Sequence, residues 1–195
     1  MAKIADGAKY QVVCFELNAN SHDIQRAVAN ALSTNIIRRD GRLPIVVSAN
    51  ALQVDGQNDN GWDQGLLFLN PSSVWLQPPG LVMQMQADDL SHDLIKTEVS
   101  GPGGDMLDVT ASKSPDGKTL TLQVVNPGEV ATLHIDLGGF KPTQAEADVT
   151  EVSGDLRAAN TAAQPDAVRP QHHRWPIATA DHPLPAHSLT VIRLR

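Results

Sequence analysis

Cysteine is almost absent. Cys14 is the only one in 195 residues, so no intrachain disulfide can form and cohesion has to come from packing. Aromatic residues are scarce too, at 4%, which makes the expected core aliphatic. There is no Lys/Arg cluster, and the formal net charge of −7 leaves no broad cationic surface for a phosphate backbone or an anionic bilayer. Neither nucleic acid nor membrane is therefore expected as a partner. No apolar run approaches the roughly 18 residues needed to span a bilayer. The stretch from Met1 to Gly7 lacks the apolar centre of a secretory signal, so a cytoplasmic location is expected. Such an abrupt start before an apolar strand also fits a chain whose upstream partner is missing.

Several chemistries lack their motifs. There is no G-x-S-x-G elbow and no glycine-rich phosphate cradle. Seven histidines, His172, His173 and His182 above all, invite a metal reading. Neighbouring side chains in a strand point to opposite faces, however, and there is no HxxxH or cysteine pair, so no metal and no cofactor is expected.

What is present reads as two unlike halves. Residues 11–16 form a short β-branched and aromatic run, the pattern of a strand covered on both faces. Ser21 is placed to cap a helix in which Ile24, Ala27, Val28, Ala31, Leu32 and Ile36 recur at helical spacing. Arg38 and Arg39 suit the negative end of its dipole, and Gly41 suits its termination. After Pro44, residues 45–49 repeat the buried-strand pattern, so 11–49 reads as a βαβ unit with parallel strands. A long polar loop follows over 50–65, then short extended pieces broken at Asn70 and Pro71, and a helix opened by Pro78, Pro79 and Gly80.

Beyond a boundary near Asp88 and Asp89 the period changes to two. Leu107, Val109 and Ala111 alternate with Asp108, Thr110 and Ser112, and Pro115-Asp116-Gly117 turns the chain into a second strand over 119–125. Further strands are expected at 95–99, 130–137, 147–152, 168–175 and 188–194, enough for an antiparallel sandwich of two sheets.

Two features bear on chemistry. Glu16 ends the first strand with the same parity as Val12 and Cys14, and carboxyl ends of parallel strands are where α/β active sites form. A solvated strand-end glutamate gives the same pattern and is commoner. The loop holding Gln57, Asn58 and Trp62 combines amides with an aromatic face, which suits a polyhydroxylated ligand. A loop folded on its own Asx turns, with Trp62 as a plug, is equally consistent.

Three stretches carry a resemblance. Phe15-Glu16-Leu17-Asn18-Ala19-Asn20-Ser21-His22, the segment 48–79 with Gly61-Trp62-Asp63, and Pro185-Ala186-His187-Ser188-Leu189-Thr190-Val191 together resemble the C-terminal part of α-L-arabinofuranosidases of glycoside hydrolase family 51. The likeness covers nearly the whole chain. It implies a mixed fold, with residues 1–89 as the last two βα units of a (β/α)8-type catalytic barrel and 90–195 as a jelly-roll-like sandwich. It further implies removal of arabinofuranosyl groups from arabinose-containing carbohydrate with retention. Glu16 would be the nucleophile, and Asn18, Gln57, Asn58 and Trp62 would contact substrate. The family's acid/base lies in an Asn-Glu setting that does not occur here, and the other glutamates, Glu98, Glu129, Glu146 and Glu151, all fall in the sandwich. With fewer than 90 residues against about 200 or more for a barrel, the expectation is a fragment with an exposed barrel edge prone to self-association. A non-catalytic carbohydrate-binding or structural sandwich is the alternative.

Overall fold

The computed structural model describes residues 11–17, 19–57, 63–88 and 93–195. The chain opens with β1 (Cys14–Leu17), α1 (Ile24–Asp40) and β2 (Val46–Ser48). β1 and β2 pair in parallel, Cys14 opposite Val46 and Leu17 opposite Ser48, as the βαβ pattern predicts. Gly41 ends the helix at φ 70°, with Arg38 and Arg39 in the last turn.

Two local expectations change. The helix is capped by Asp23, whose carboxylate accepts from the Arg26 amide at 3.2 Å. Ser21 stands too far before the first helical residue to cap it, and its hydroxyl accepts from the Asp23 amide at 3.3 Å instead. β1 is also not covered on both faces. Among the described residues its sheet has two strands, and Phe15 is 69% exposed with Glu16 exposed beside it.

Next come β3 (Leu52–Val54), β4 (Leu67–Asn70), β5 (Ser73–Leu76) and α2 (Pro78–Ala87). β4 lies parallel to β3 and antiparallel to β5. The predicted break at Asn70 and Pro71 is the β4–β5 turn, where the Asn70 carboxamide oxygen accepts from the Ser72 and Ser73 amides at 2.9 Å. No helix among the described residues is long and apolar enough to cross a membrane.

The rest is β: β6 (Asp93–Ile95), β7 (Asp108–Lys113), β8 (Leu120–Asn126), β9 (Ala131–His134), β10 (Glu146–Ser153), β11 (Gln171–Pro176), β12 (Asp181–Leu184) and β13 (Ser188–Leu194). Six of them form one sheet in the order β11-β10-β13-β8-β7-β6, antiparallel throughout, and β9 with β12 forms a second. β12 was not anticipated because Pro183 interrupts it; in a two-stranded pair a proline can face away from its neighbour.

Side chains alternate along the central strands and feed two cores. Val125, Val152, Leu189 and Val191 meet Ile24, Ala27, Val28 and Ala31 of α1 and Leu81, Val82 and Met85 of α2. Leu122, Val124, Ala147, Val149, Ile192 and Trp175 meet Leu184 of β12, with Ala131 and Leu133 of β9 packed on the cluster. The helical core therefore joins residues from both sides of the boundary near residue 89. Asp108 at the start of β7 adds a polar tie, pairing with Arg39 and accepting from the Asn35 carboxamide at 2.9 Å.

A second tie is Asn160, buried between α2 and the loop that leads to β11. Its carboxamide nitrogen donates to the carbonyls of Leu76 and Val168 at 2.8 and 2.9 Å, and its oxygen accepts from the Val168 amide at 2.7 Å. Its backbone exchanges two hydrogen bonds with the Gln77 carboxamide. Because Val168 is engaged this way, the strand predicted from residue 168 begins only at Gln171.

Gly80 distinguishes helix propensity from packing. Alanine ordinarily stabilises a helix interior over glycine by about 1 kcal/mol, but a Cβ here would stand 2.7 Å from Leu76 Cδ2 and 2.8 Å from the Leu66 carbonyl oxygen. Gly80→Ala is expected to lower stability by roughly 1–3 kcal/mol in urea unfolding; a raised midpoint would show that the Leu66 backbone can give way.

Candidate functional site

Because β1 and β2 run in parallel, their carboxyl ends open on one rim. Glu16 stands there, one residue before the end of β1, with its side chain exposed. The loops that follow β1 and β2, and the segment that enters β4, converge on Arg26 in the first turn of α1. Arg26 is 1% exposed. Its Nη1 donates to the carbonyls of Ser21, at 2.8 Å, and Gln64, while Nη2 donates to Ser48 Oγ at 3.1 Å and to the Ala49 carbonyl at 2.9 Å. Burial pulls its pKa down to about 10, against the opposing charges of Asp63 and Asp23, so it remains a cation at neutral pH.

Around this cation the loops are fastened to one another. His22 Nδ1 lies 2.6 Å from Asp63 Oδ1, and its ring packs on Phe68 with centroids 4.7 Å apart. The Asp63 amide donates to Asn20 Oδ1 at 2.6 Å, and Gln53 Oε1 accepts from the amides of Gln64 and Gly65 at 3.1 and 2.8 Å. Arg26 thus ties together the loops that follow β1 and β2 and the segment that enters β4.

Of the residues expected to form the site, Glu16 and Gln57 are described. Gln57 is exposed in the turn after β3, its amide donating to the Val54 carbonyl at 3.1 Å, and it makes no hydrogen bond with Glu16. Asn18, Asn58 and Trp62 lie outside the described residues. Two grooves, of about 230 and 450 Å³, lie elsewhere: one is lined by Gln84, Thr150, His172 and Arg193, the other by Gln144, Glu146 and Arg174. Glu16 lines neither.

Arg26 escaped the sequence reading. The signal for it is its position: a cation in the first turn opposes the helix dipole, so it needs compensating acceptors nearby.

Solved glycoside hydrolases contain this arrangement of elements. Arabinose-bound MgGH51 α-L-arabinofuranosidase matches with a TM-score of 0.74 at 17% identity, over 89% of this chain and 28% of that one. The thermostable GH51 α-L-arabinofuranosidase from Thermotoga petrophila RKU-1 gives 0.72 at 20%, over 92% and 40%. The catalytic domain of GH30 xylanase C from Talaromyces cellulolyticus gives 0.66 at 16%, over 97% and 42%. At such identities the likeness is one of fold, and the chain spans well under half of each of these enzymes. The family is given by sequence: the profile of the α-L-arabinofuranosidase C-terminal domain matches residues 15–188, and the chain belongs to that family. No curated protein matches it.

Two variants test the anchor. Arg26→Met removes a buried cation and leaves four oxygen acceptors without their donor, which should cost roughly 3–5 kcal/mol in urea unfolding; a loss below about 1 kcal/mol would mean that water replaces it. Asp23 is a subtler case. Burial raises its pKa, but hydrogen bonds from Ser21, the Arg26 amide and Arg157, with the Arg157 charge, outweigh burial and hold it below the ordinary 3.8. A depressed carboxylate stabilises the fold above its unfolded pKa, and that contribution is lost as pH falls through the lower folded value. Asp23→Asn keeps a capping oxygen without the charge, so its stability deficit should be present at pH 7 and shrink as pH drops below 3.8. A deficit independent of pH would assign it to geometry alone.

Proposed function

We propose that this chain is the rear part of a retaining α-L-arabinofuranosidase. In this reading residues 1–89 are the last two βα units of a (β/α)8-type barrel, residues 90–195 are the sandwich behind it, and Glu16 is the nucleophile that attacks the anomeric carbon. The observation that carries the reading is an exposed carboxylate at the carboxyl end of a parallel strand, in a chain of this family. Asn18, Gln57, Asn58 and Trp62 would hold the sugar through amide hydrogen bonds and an aromatic face.

Retention needs a second carboxyl group about 5–5.5 Å from the first to protonate the leaving oxygen. Glu98 is exposed and paired with Lys96, Glu129 and Glu146 are exposed in the sandwich, and Glu151 is engaged with Thr190 and His182. In this reading none of these glutamates is the acid/base, which another stretch of polypeptide would supply. Phe15 and Val47, 69% and 43% exposed, leave apolar surface on the two-stranded sheet, and the free backbone edges beside them are where further barrel strands or a second copy would pair.

With the nucleophile alone, the chain should act feebly on an activated aryl arabinofuranoside, whose leaving group needs little protonation, and Glu16→Gln should bring that signal to background. Activity that survives in Glu16→Gln would remove Glu16 from the role. Vigorous release of arabinose from arabinoxylan by the pure chain would require a second carboxylate within it.

A non-catalytic reading draws on the groove where Gln84 of α2 faces Thr150, His172 and Arg193 of the large sheet. It requires calorimetric binding of arabino-oligosaccharides that persists in Glu16→Gln and is lost in His172→Ala. The reverse pattern supports the catalytic rim.

A further inference from the structure

The register of β10 against β11 sets Val149 opposite His173 and Glu151 opposite Gln171. Glu151 and His173 are therefore diagonal neighbours on one face, the face that also carries Val149 and Trp175 toward β12. His172 belongs to the other face. From the second sheet, His182 of β12 enters the same space, 1% exposed.

We propose that Glu151, His173 and His182 form a zinc site that rivets β12 to β10 and β11. His182 Nε2 lies 3.2 Å from Glu151 Oε1, and His173 Nδ1 lies 3.8 Å from Glu151 Oε2. One donor atom from each residue can be chosen so that all three fall within 4.8 Å of one another. Tetrahedral zinc with bonds of about 2.0–2.1 Å holds its donors roughly 3.3 Å apart. The Glu151–His182 separation already has that value, and His173, with 41% of its side chain exposed, has room to close the remainder.

The donor set selects the metal. Two imidazoles and one carboxylate suit zinc and are poor hosts for calcium or magnesium, which prefer all-oxygen shells. Three protein donors leave a fourth position for water on the exposed His173 side.

The surroundings are those of a built site. Thr190 Oγ1 donates to Glu151 Oε1 at 3.0 Å and orients the carboxylate. The His182 ring is stacked on His173 at 5.7 Å and set edge-on to Trp175 at 5.4 Å. Its Nδ1 is buried with no hydrogen-bond partner among the described residues. The nitrogen that faces Glu151 is Nε2, so zinc there takes the place of the Nε2–Glu151 contact and is bound by both groups. The histidines come from separate strands, which is why no ligand spacing is visible in the sequence. This site is independent of the glycosidase reading and stands or falls without it.

The test uses the full chain without a histidine tag, stripped with EDTA and titrated with zinc sulfate. Metal content after gel filtration should reach one zinc per chain, and Tm should rise by roughly 5–10 °C at about 100-fold excess over Kd. Cobalt chloride in place of zinc should give the visible absorption of a tetrahedral centre. His182 is in the core, so the decisive variant is His173→Gln, which should keep its EDTA-state Tm and bind zinc at least ~10-fold more weakly. No retained zinc, or a Tm that responds to pH but not to zinc, overturns the proposal in favour of a plain histidine–glutamate ion pair. Equal zinc binding by His173→Gln and wild type overturns it in favour of a site elsewhere.

Discussion

β8 and β13 have no face toward water. Every residue of β8 is buried, as is all of β13 except Arg193, so consecutive side chains must satisfy two different cores in turn. Val124 answers to β9 and β12, and Val125 answers to the helices. Alternation that would ordinarily read apolar-in and polar-out here places apolar residues on both sides, with Thr121, Gln123, Asn126, Ser188 and Thr190 as the buried polar minority. The front segment is thereby committed to the sandwich: without α1 and α2, Val125, Leu189 and Val191 would lose their cover. The position of Glu16 is inherited from this constraint, because β1 and β2 are tethered through α1 to a sheet that cannot shed its helical layer.

A second condition is electrostatic. The rim at the end of β1 and β2 is made of loops, and loops carry carbonyls that regular pairing does not satisfy. A single guanidinium gathers carbonyls from three of these loops into one arrangement. Lysine would not serve equally, since its compact ammonium lacks the planar fork that reaches acceptors on two sides. The order of these loops is thus set from within the first turn of α1.

Short-range features were legible in the sequence. The Pro115-Asp116-Gly117 turn and its flanking strands depend on local backbone preference, and Gly117 indeed takes φ 73°. The strand, helix, strand order at the front and the arginines and glycine that end α1 are of the same kind. What was not legible depends on partners distant in the chain. The coverage of β1 is set by a layer count that six residues cannot encode, so a run read as buried is half open. β12 was hidden by Pro183, and the roles of Arg26, His173 and His182 arise only where separate segments meet. For the candidate site, pattern located Glu16 at the strand end, whereas Asn18, Asn58 and Trp62 fall outside the described residues.

Asn160 shows how much of the joint between the halves rests on one functional group. Its carboxamide presents two N–H bonds to two carbonyls and one oxygen to an amide, a division of labour that neither aspartate nor leucine can copy at nearly the same volume. Such a residue is also a point of chemical ageing, because deamidation would turn the donor edge into a carboxylate facing two carbonyl oxygens. That reaction begins with attack by the following backbone nitrogen on the side chain. Here the Thr161 nitrogen is tied to the Gln164 carbonyl at 3.2 Å, and both ends of the carboxamide are occupied. The contacts that make the asparagine indispensable are also those that preserve it.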